Sequence, residues 1–332
     1  MRSFVIDLFK ACAAQLIVLH HLVAYGPVAA AAAVAMPTLA HVLYDYARMA
    51  VQVFLVIGGY LAARSFDAPR KDRLLSAIRK RYLRLVLPFL AALAITSLIA
   101  ALIRPGFVDE AMPSVPTLAQ VLAHVFLLHG VLDYESLSAG VWYVAIDFQL
   151  YVLFAVLAWF SRHALRLHLG LVIALTLASL FHFNRDSGLD DWAVYFFGAY
   201  GMGVLAFHLS RLARPEAGLA FLIAVGGVAL WVDFRGRILL ALCVAVALVL
   251  FRNVEIERSA PAARLANYCG RNSYALFLVH FSLCLLGNAF FDHLGWQTPL
   301  AGVGMLVLVW LASNVLADVF YRCVERPASR LG

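Results

Sequence analysis

Long apolar segments, each bounded by polar residues, recur along the whole sequence. About 20 apolar residues are needed to cross a bilayer as a helix, and ten segments approach or exceed that length. Their limits are 5–26, 44–63, 85–103, 140–160, 167–183, 192–209, 217–232, 238–251, 270–290 and 298–320. A further apolar segment, 117–130, is too short to span the membrane comfortably and is predicted to lie re-entrant or at the membrane surface. The pattern therefore predicts an all-α polytopic membrane protein with about ten transmembrane helices in a single domain, 1–332.

The composition agrees with a membrane protein and excludes an ordinary soluble enzyme. Hydrophobic residues make up 64% of the 332 residues and charged residues 14%, whereas soluble domains average roughly 45–50% and about 25%. A chain with so few polar residues cannot cover a water-facing surface. The net charge of +7 would suit nucleic acid, but the basic residues cluster beside apolar segments, so we expect membrane lipids as partners and no nucleic acid.

The positions of Lys and Arg predict the orientation, because these residues concentrate on the cytoplasmic side of membrane proteins. With a cytoplasmic N-terminus and ten spans, the inside segments hold 21 of the 26 basic residues. Those residues are Arg2, Lys10, the eight from Arg64 to Arg84, Arg162, Arg166, Arg211, Arg214, Arg252, Arg258, Arg264, Arg271, Arg322, Arg326 and Arg330. The outside loops hold mostly acids, so we expect both termini in the cytoplasm.

The first span carries two ionisable residues that share one helical face. Lys10 and His21 are 11 residues apart, which corresponds to about 16 Å along the axis and about 20° of rotation beyond three turns. Lys10 would lie at the cytoplasmic entrance and His21 well inside the membrane, an arrangement that suits an anionic donor with a reactive end. A snorkelling lysine and a hydrogen-bonded structural histidine are the alternative. His20 points about 100° away from this stripe.

The loop between the second and third spans is strongly basic and includes Arg70, Lys71 and Arg73. Anchoring to anionic lipid headgroups accounts for most of this charge. Arg81 and Arg84 are three residues apart at the start of a span and share a face. They could bind the phosphates of a nucleotide-bearing donor through charge-assisted hydrogen bonds.

The paired glycines Gly58-Gly59 interrupt the second span. Glycine permits close approach of a neighbouring helix or of a substrate, and helix packing is the commoner reason.

The fourth span has a polar stripe formed by Tyr143, Asp147 and Tyr151, which are spaced by four residues. Asp147 is the only carboxylate that lies well inside a predicted span. It could orient a protonated imidazole or relay a proton. A structural pair with a tyrosine hydroxyl is the alternative.

The ninth span contains Ser273, Tyr274 and His280. Ser273 and His280 are seven residues apart, hence on one face but about 10 Å from each other, too far for a nucleophile and its base. Asn272-Ser273 also suits helix capping. Ligand spacings typical of a metal site do not occur in the sequence, so we expect no metal.

Taken in order, these segments resemble acyltransferase family 3, the membrane-bound acyltransferases. The resemblance covers nearly the whole chain, and the order of the motifs is more specific than any one of them. The segments that carry it are Ile6-Asp7-Leu8-Phe9-Lys10 through His21, Val53-Phe54-Leu55-Val56-Ile57-Gly58-Gly59-Tyr60, Arg79-Lys80-Arg81-Tyr82-Leu83-Arg84 with Pro88, Trp142-Tyr143 with Asp147 and Tyr151, Gly270-Arg271-Asn272-Ser273-Tyr274 to His280, and Glu325-Arg326-Pro327. Gly58 stands where serine is usual, and Asp147 lies near a position that is often Glu.

The resemblance implies a multi-pass enzyme of the bacterial inner membrane. Such an enzyme takes an acyl group, commonly acetyl, from acyl-CoA in the cytosol and transfers it to a hydroxyl of an envelope glycan or lipid-linked glycan. Acyl-CoA would be a substrate, and no permanently bound cofactor is implied.

The resemblance also distributes roles among the residues. The catalytic histidine corresponds to His21, with Asp147 or Tyr143 tuning or orienting its imidazole. The donor-binding positions correspond to Lys10, Arg81 and Arg84. The supporting positions are Gly58, Gly59, Tyr151, Ser273, Tyr274 and His280.

Two other functions fit parts of the pattern. A proton-coupled transporter or flippase of an envelope precursor would also use intramembrane His and Asp residues, but it leaves the dense basic face unexplained. A non-catalytic membrane partner in an envelope-assembly complex is the third interpretation. Transfer of labelled acetyl groups from acetyl-CoA to envelope glycan distinguishes the three.

Overall fold

Every regular element is a helix in the computed structural model, which describes residues 3–67, 74–254, 257, 260–295 and 298–331. The α-helices are α1 (Phe4–Ala24), α2 (Gly26–Ala35), α3 (Pro37–Tyr46), α4 (Val51–Asp67), α5 (Leu74–Ile103), α6 (Leu118–Val125), α7 (Trp142–Phe160), α8 (Leu165–Phe181), α9 (Ala193–Ser210), α10 (Glu216–Val232), α11 (Gly236–Leu250), α12 (Pro261–His293), α13 (Pro299–Phe320) and α14 (Arg326–Leu331). Short 3₁₀ helices occupy Ala47–Ala50, Phe183–Arg185 and Ser187–Leu189, and a π-helical turn occupies Tyr321–Glu325.

Eight helical segments of the described chain are long and apolar enough to cross a membrane, which confirms an all-α polytopic membrane protein. They are Phe4–Ala24, Pro37–Asp67, Leu74–Ile103, Trp142–Phe160, Leu165–Arg185, Ala193–Ser210, Pro261–His293 and Pro299–Leu331. The other two predicted spans form α10 and α11, which are apolar but have only 17 and 15 residues.

The structure adds detail to two of the predicted segments, and some of the predicted basic residues lie outside the part of the chain that it describes. The alanine-rich stretch after the first span forms a separate helix, α2, because alanine is the strongest helix former. The apolar segment 117–130 is helical only over α6, which begins at a capping box between Thr117 and Gln120. Arg70, Lys71 and Arg73 of the basic loop lie outside the described residues, as do Arg2 and Arg258.

The chain packs into two compact units. The first unit comprises Met1–Lys10, Val51–Tyr82 and Ile146–Asn267, and the second comprises Ala11–Ala50, Leu83–Ala145 and Tyr268–Gly332. Each unit combines segments that are distant in sequence.

Helix α9 is the core of the first unit and packs against α4, α8 and α11. Its contact with α4 is close because a Cβ on Gly59 would collide with the backbone carbonyl of Tyr200, and a Cβ on Gly203 would collide with that of Val56. Helices in membranes associate through such small-residue contacts. The packing interpretation of Gly59 is therefore confirmed.

The second unit is held together partly by buried and half-buried polar contacts between its helices. Nε2 of Gln15 in α1 donates to Oδ1 of Asn314 in α13 at 2.6 Å, and Nε1 of Trp310 donates to Oε1 of Gln15 at 2.7 Å. The hydroxyls of Thr96 in α5 and Ser282 in α12 are 2.8 Å apart. Satisfied polar pairs of this kind fix the register between helices in an apolar environment.

Candidate active site

Two histidines from distant parts of the sequence form the centre of the candidate active site, inside the second unit. Nδ1 of His21 in α1 lies 2.7 Å from Nε2 of His280 in α12. The rings are nearly parallel, with centroids 4.9 Å apart and planes inclined by 7°. Both side chains are buried. A base held by a second, oriented group is the arrangement that activates nucleophiles in many transferases and hydrolases.

The hydrogen bonds of the pair assign its tautomers. Nδ1 of His280 lies 3.2 Å from the carbonyl oxygen of Leu276, which can only accept, so this nitrogen carries the hydrogen. Nε2 of a neutral His280 is then an acceptor, and Nδ1–H of His21 donates to it. The lone pair therefore lies on Nε2 of His21, which has no hydrogen-bond partner among the described residues. This nitrogen can accept a proton or attack an acyl carbon.

A glycine and an aromatic ring confine the His21 imidazole. Gly140, with φ +77°, lies so near that a Cβ there would be 3.1 Å from Cε1 of His21 and 3.2 Å from the ring of Phe277. Phe277 also packs edge-to-face on Tyr143, at 5.7 Å between centroids. The backbone turn before α7 thus sets one wall of the site, and Tyr143 supports that wall through Phe277.

His20, the neighbour of the candidate base, makes a different contact. Its Nδ1 lies 3.3 Å from the carbonyl oxygen of Leu43, and its side chain is half-buried. The two adjacent histidines therefore have distinct partners, as expected for residues about 100° apart on a helix.

Asp147 and Arg81 form an ion pair within the first unit. Nη2 of Arg81 in α5 donates to Oδ2 of Asp147 in α7 at 2.5 Å. The guanidinium also lies over the ring of Tyr151, 5.3 Å from its centroid. The Asp147 side chain is 8% exposed, while that of Arg81 is 28% exposed. Arg81 thus compensates a buried carboxylate and still reaches the surface.

Gly58 and Tyr200 complete the surroundings of this ion pair. A Cβ on Gly58 would be 3.4 Å from the Tyr200 ring and 3.6 Å from Oδ1 of Asp147, an ordinary contact distance. The Tyr200 side chain is 1% exposed, and its phenol interacts electrostatically with both Asp147 and Arg81. The absence of a side chain at residue 58 leaves space next to the carboxylate.

The other two donor-binding candidates lie on continuous helices. Lys10 is half-buried in α1. This helix is continuous from Phe4 to Ala24, which is the condition for Lys10 and His21 to share one helical face. Arg84 is exposed and lies one turn after Arg81 in α5.

Ser273 and Tyr274 have structural contacts within the second unit. The hydroxyl of Ser273 donates to the carbonyl of Gly270 at 3.0 Å, and that of Tyr274 donates to the carbonyl of Leu85 at 2.9 Å. The suggestion that Asn272-Ser273 caps a helix start is wrong, because α12 begins at Pro261.

The structure therefore brings the candidate residues together as two groups. One group is His21 with His280. The other is Arg81 with Asp147 and Tyr151. The partner that the structure gives to His21 is His280, whereas Asp147 or Tyr143 was expected to orient its imidazole. The structure gives Asp147 a cation instead, so its negative charge is already balanced.

Two residues next to these groups were not singled out from the sequence. Gly140 lies two residues before the start of α7, in a place where glycine commonly marks a turn, so a local signal existed. Tyr200 lies in an apolar, glycine-rich span and offered no such signal. Among the described residues, no group of three or more His, Cys, Asp or Glu side chains is placed to hold a metal ion.

Comparison with known proteins identifies the domain. Residues 4–317 match the model of an acyltransferase domain, acyltransferase family 3. The match spans both groups of candidate residues. No curated protein and no solved structure matches the chain in the two other comparisons.

Proposed function

Because the chain belongs to acyltransferase family 3, we propose that this multi-pass membrane protein transfers an acetyl group from acetyl-CoA to a hydroxyl of a cell-envelope glycan. The observation that supports this function best is the His21–His280 pair. The pair provides an oriented base whose Nε2 has a free lone pair.

The proposed reaction needs one proton acceptor and no redox chemistry. Nε2 of His21 takes the proton of the acceptor hydroxyl as its oxygen attacks the thioester carbonyl. The carbon–sulfur bond breaks, and the departing thiolate receives the proton from the imidazolium. The products are the acetyl ester and coenzyme A. His280 stabilises the imidazolium that forms transiently, because its Nε2 accepts from Nδ1–H of His21 throughout.

The donor is proposed to bind through the basic residues at the cytoplasmic ends of α1 and α5. Guanidinium groups suit phosphate oxygens, since they offer several donors in a planar arrangement. Arg84 is exposed and Arg81 is partly exposed, so both can reach a soluble donor. Lys10 would add a third positive charge on the face of α1 that carries His21. The location proposed for the enzyme is the bacterial inner membrane, with the donor in the cytosol.

The test is acetyl transfer from labelled acetyl-CoA to envelope glycan in membranes that contain the wild-type protein or a variant. We expect His21→Ala to abolish transfer. His280→Ala should reduce kcat by about 10²- to 10⁴-fold, the usual contribution of general base catalysis. His20→Ala is the matched control, because its imidazole contacts the Leu43 carbonyl instead of His280, and it should keep most of the activity.

Two results would contradict this assignment. One is full activity in His21→Ala with normal protein levels, and the other is an equal loss in His20→Ala and His21→Ala. The same nitrogen could also carry the acetyl group itself as a covalent intermediate. Acid quenching without acceptor distinguishes the routes, since only the covalent route leaves label on the wild-type protein.

A further inference from the structure

Three arginines from two separate parts of the sequence converge at one end of the first unit. Arg185 follows α8, and Arg235 and Arg237 lie at the start of α11, about 50 residues later. They meet around Asp233 and Asn184. We call these three residues the arginine cluster.

Arg235 is the buried member of the arginine cluster and joins two loops. Its Nη1 donates to Oδ1 of Asn184 at 2.8 Å, and its Nη2 donates to the carbonyl of Leu180 at 2.9 Å. Its Nε lies 3.4 Å from Oδ2 of Asp233, and the side chain is 11% exposed. These contacts account for all three nitrogens of the guanidinium, so Arg235 holds the loops together.

Arg185 and Arg237 keep most of their hydrogen-bonding capacity. The side chain of Arg185 is 48% exposed, and its Nε lies 3.6 Å from Oδ2 of Asp233. Arg237 donates through Nη2 to the carbonyl of Asn184 at 3.1 Å and lies over the ring of Tyr195 at 4.9 Å. Their remaining N–H groups have no acceptor among the described residues.

The cluster is electrostatically unbalanced. The charged groups that act on the Arg235 guanidinium are Asp233, Arg237 and Arg185. Three cations therefore face one carboxylate, even though the neighbouring loop also carries Asp186, Asp190 and Asp191. Excess positive charge in a partly buried place attracts an anion.

The location of the cluster makes this charge unusual. The arginine cluster lies after the end of α8 and at the start of α11. The distribution of basic residues predicts that both places are on the extracytoplasmic side, where arginine is depleted in membrane proteins. Five basic residues fall on that side in the predicted topology: Arg48, Arg104, Arg185, Arg235 and Arg237. Three of these five form one cluster.

We propose that the arginine cluster binds a phosphate group carried by the acceptor at the extracytoplasmic face. This proposal rests on the proposed function and narrows its acceptor to a phosphate-bearing glycan or lipid-linked glycan. Arg235 positions the loops, and Arg185 and Arg237 donate to the phosphate oxygens. Two guanidinium groups supply paired donors that match the oxygens of a phosphate or diphosphate.

The first test is binding of inorganic pyrophosphate to the full-length protein in phosphatidylcholine nanodiscs. We expect Arg185→Gln/Arg237→Gln to weaken binding by about ten- to a hundredfold, because two charge-assisted contacts are lost. The matched control is Arg48→Gln/Arg104→Gln, which removes two arginines that are also predicted to lie on the extracytoplasmic side of the membrane. It should change the affinity by less than about twofold. Equal losses in the two double variants would overturn the proposal.

The second test uses the acetyl-transfer assay to distinguish two sources of the phosphate that the arginine cluster would bind, the acceptor and a membrane lipid. If it belongs to the acceptor, Arg185→Gln/Arg237→Gln raises KM for the glycan in the acetyl-transfer assay and leaves the affinity for coenzyme A unchanged. If pyrophosphate binding falls but transfer is unchanged, the cluster binds lipid headgroups and the acceptor assignment is wrong. A wild-type protein without transferase activity would contradict the proposed function alone, since pyrophosphate binding is measured independently of transfer.

Discussion

Among the single residues, Arg81 combines a structural role with a proposed role in binding. It forms an ion pair with Asp147, and it is a candidate contact for the donor. Asp147 is buried, so removing its cation leaves a carboxylate without compensation in an apolar environment. A single substitution of Arg81 therefore changes stability and donor binding together. The neighbouring Arg84 is exposed, and it is the second arginine of α5 proposed to contact the donor.

We expect Arg81→Ala to weaken coenzyme A binding by roughly tenfold and to lower the free energy of unfolding by about 1–3 kcal/mol. The stability effect is at the lower end for a buried pair because Arg81 is partly exposed. Arg81→Ala/Asp147→Asn should regain stability without regaining affinity. Arg84→Ala should also reduce affinity, with a smaller loss of stability because its side chain is exposed. Binding to the protein in nanodiscs and thermal melting measure the two quantities, and a double variant that binds coenzyme A normally would make Arg81 purely structural.

Gly140 is a second residue whose role follows from local geometry. Its positive φ disfavours any side chain, and a Cβ would press on His21 and Phe277. We expect Gly140→Ala to cost about 1–3 kcal/mol of stability and to lower kcat, because the imidazole is displaced. Gly106→Ala is the control, since Gly106 also lies in a loop of the second unit but has no atom within 4 Å of an added Cβ. Equal activity of the two variants would show that Gly140 does not position His21.

At the scale of elements, α6 and the loop after it are organised by a buried aromatic stack. The rings of His124 and His129 are parallel, with centroids 4.2 Å apart, and Phe89 of α5 stacks on both at 6.2 and 6.3 Å. Nδ1–H of His124 donates to the Gln120 carbonyl, and its Nε2 accepts from the Leu137 N–H. This pattern requires a neutral His124, while neither ring nitrogen of His129 has a partner in the described part of the chain.

The stack makes the stability of this element depend on pH. Burial first, and then the neighbouring His124, lowers the pKa of His129 to about 4, and burial also lowers the pKa of His124. Between pH 6.5 and about 4 the unfolded chain binds more protons than the folded chain. Stability should therefore fall by on the order of 2–3 kcal/mol as the pH drops through this window.

Thermal melting between pH 7.5 and 5 tests this expectation. His129→Phe keeps an aromatic ring in the stack and removes the titrating group, so its melting temperature should decline less with falling pH than that of the wild type. His41→Phe is the control, because His41 lies on the surface of α3. A decline in His129→Phe as steep as in the wild type would contradict the interpretation.

At the scale of the whole molecule, the distribution of charge predicts the orientation in the membrane. The loop before α5 and the segment after α9 are basic, whereas the loop between α5 and α6 contains Asp109 and Glu110. The proposed donor and acceptor sites both depend on this orientation, because coenzyme A is cytosolic and the glycan is not.

Reporter fusions test the orientation. Fusions after about residue 75 and about residue 213 should report the cytoplasm, and fusions after about residues 110 and 188 should report the outside. The fusions after residues 110 and 188 also test the segment 117–130, which lies between them together with α7 and α8. If only α7 and α8 cross the membrane, both fusions report the outside. If 117–130 also crosses, the two fusions report opposite sides. A cytoplasmic signal at both 75 and 110 would refute the predicted topology.

The helical elements and the chemistry within single helices follow from the amino-acid sequence alone. All ten predicted spans became helices because an apolar run must satisfy its own backbone hydrogen bonds in a membrane, which is a local requirement. The Lys10–His21 stripe needed only the pitch of one helix. The basic residues that flank the spans were likewise visible without any tertiary contact.

Which of these residues contact each other depends on how the helices pack. His21 and His280 are 259 residues apart, and Arg81 and Asp147 are 66 apart. A periodic pattern states which face of a helix a residue occupies, but it does not state which other helix packs there. Helix contacts depend on side-chain shape and on glycines such as Gly59, whose close approach to Tyr200 was invisible until both helices were placed. For the same reason the arginine cluster could not be inferred from the sequence, since its members meet only when the ends of separate helices pack together.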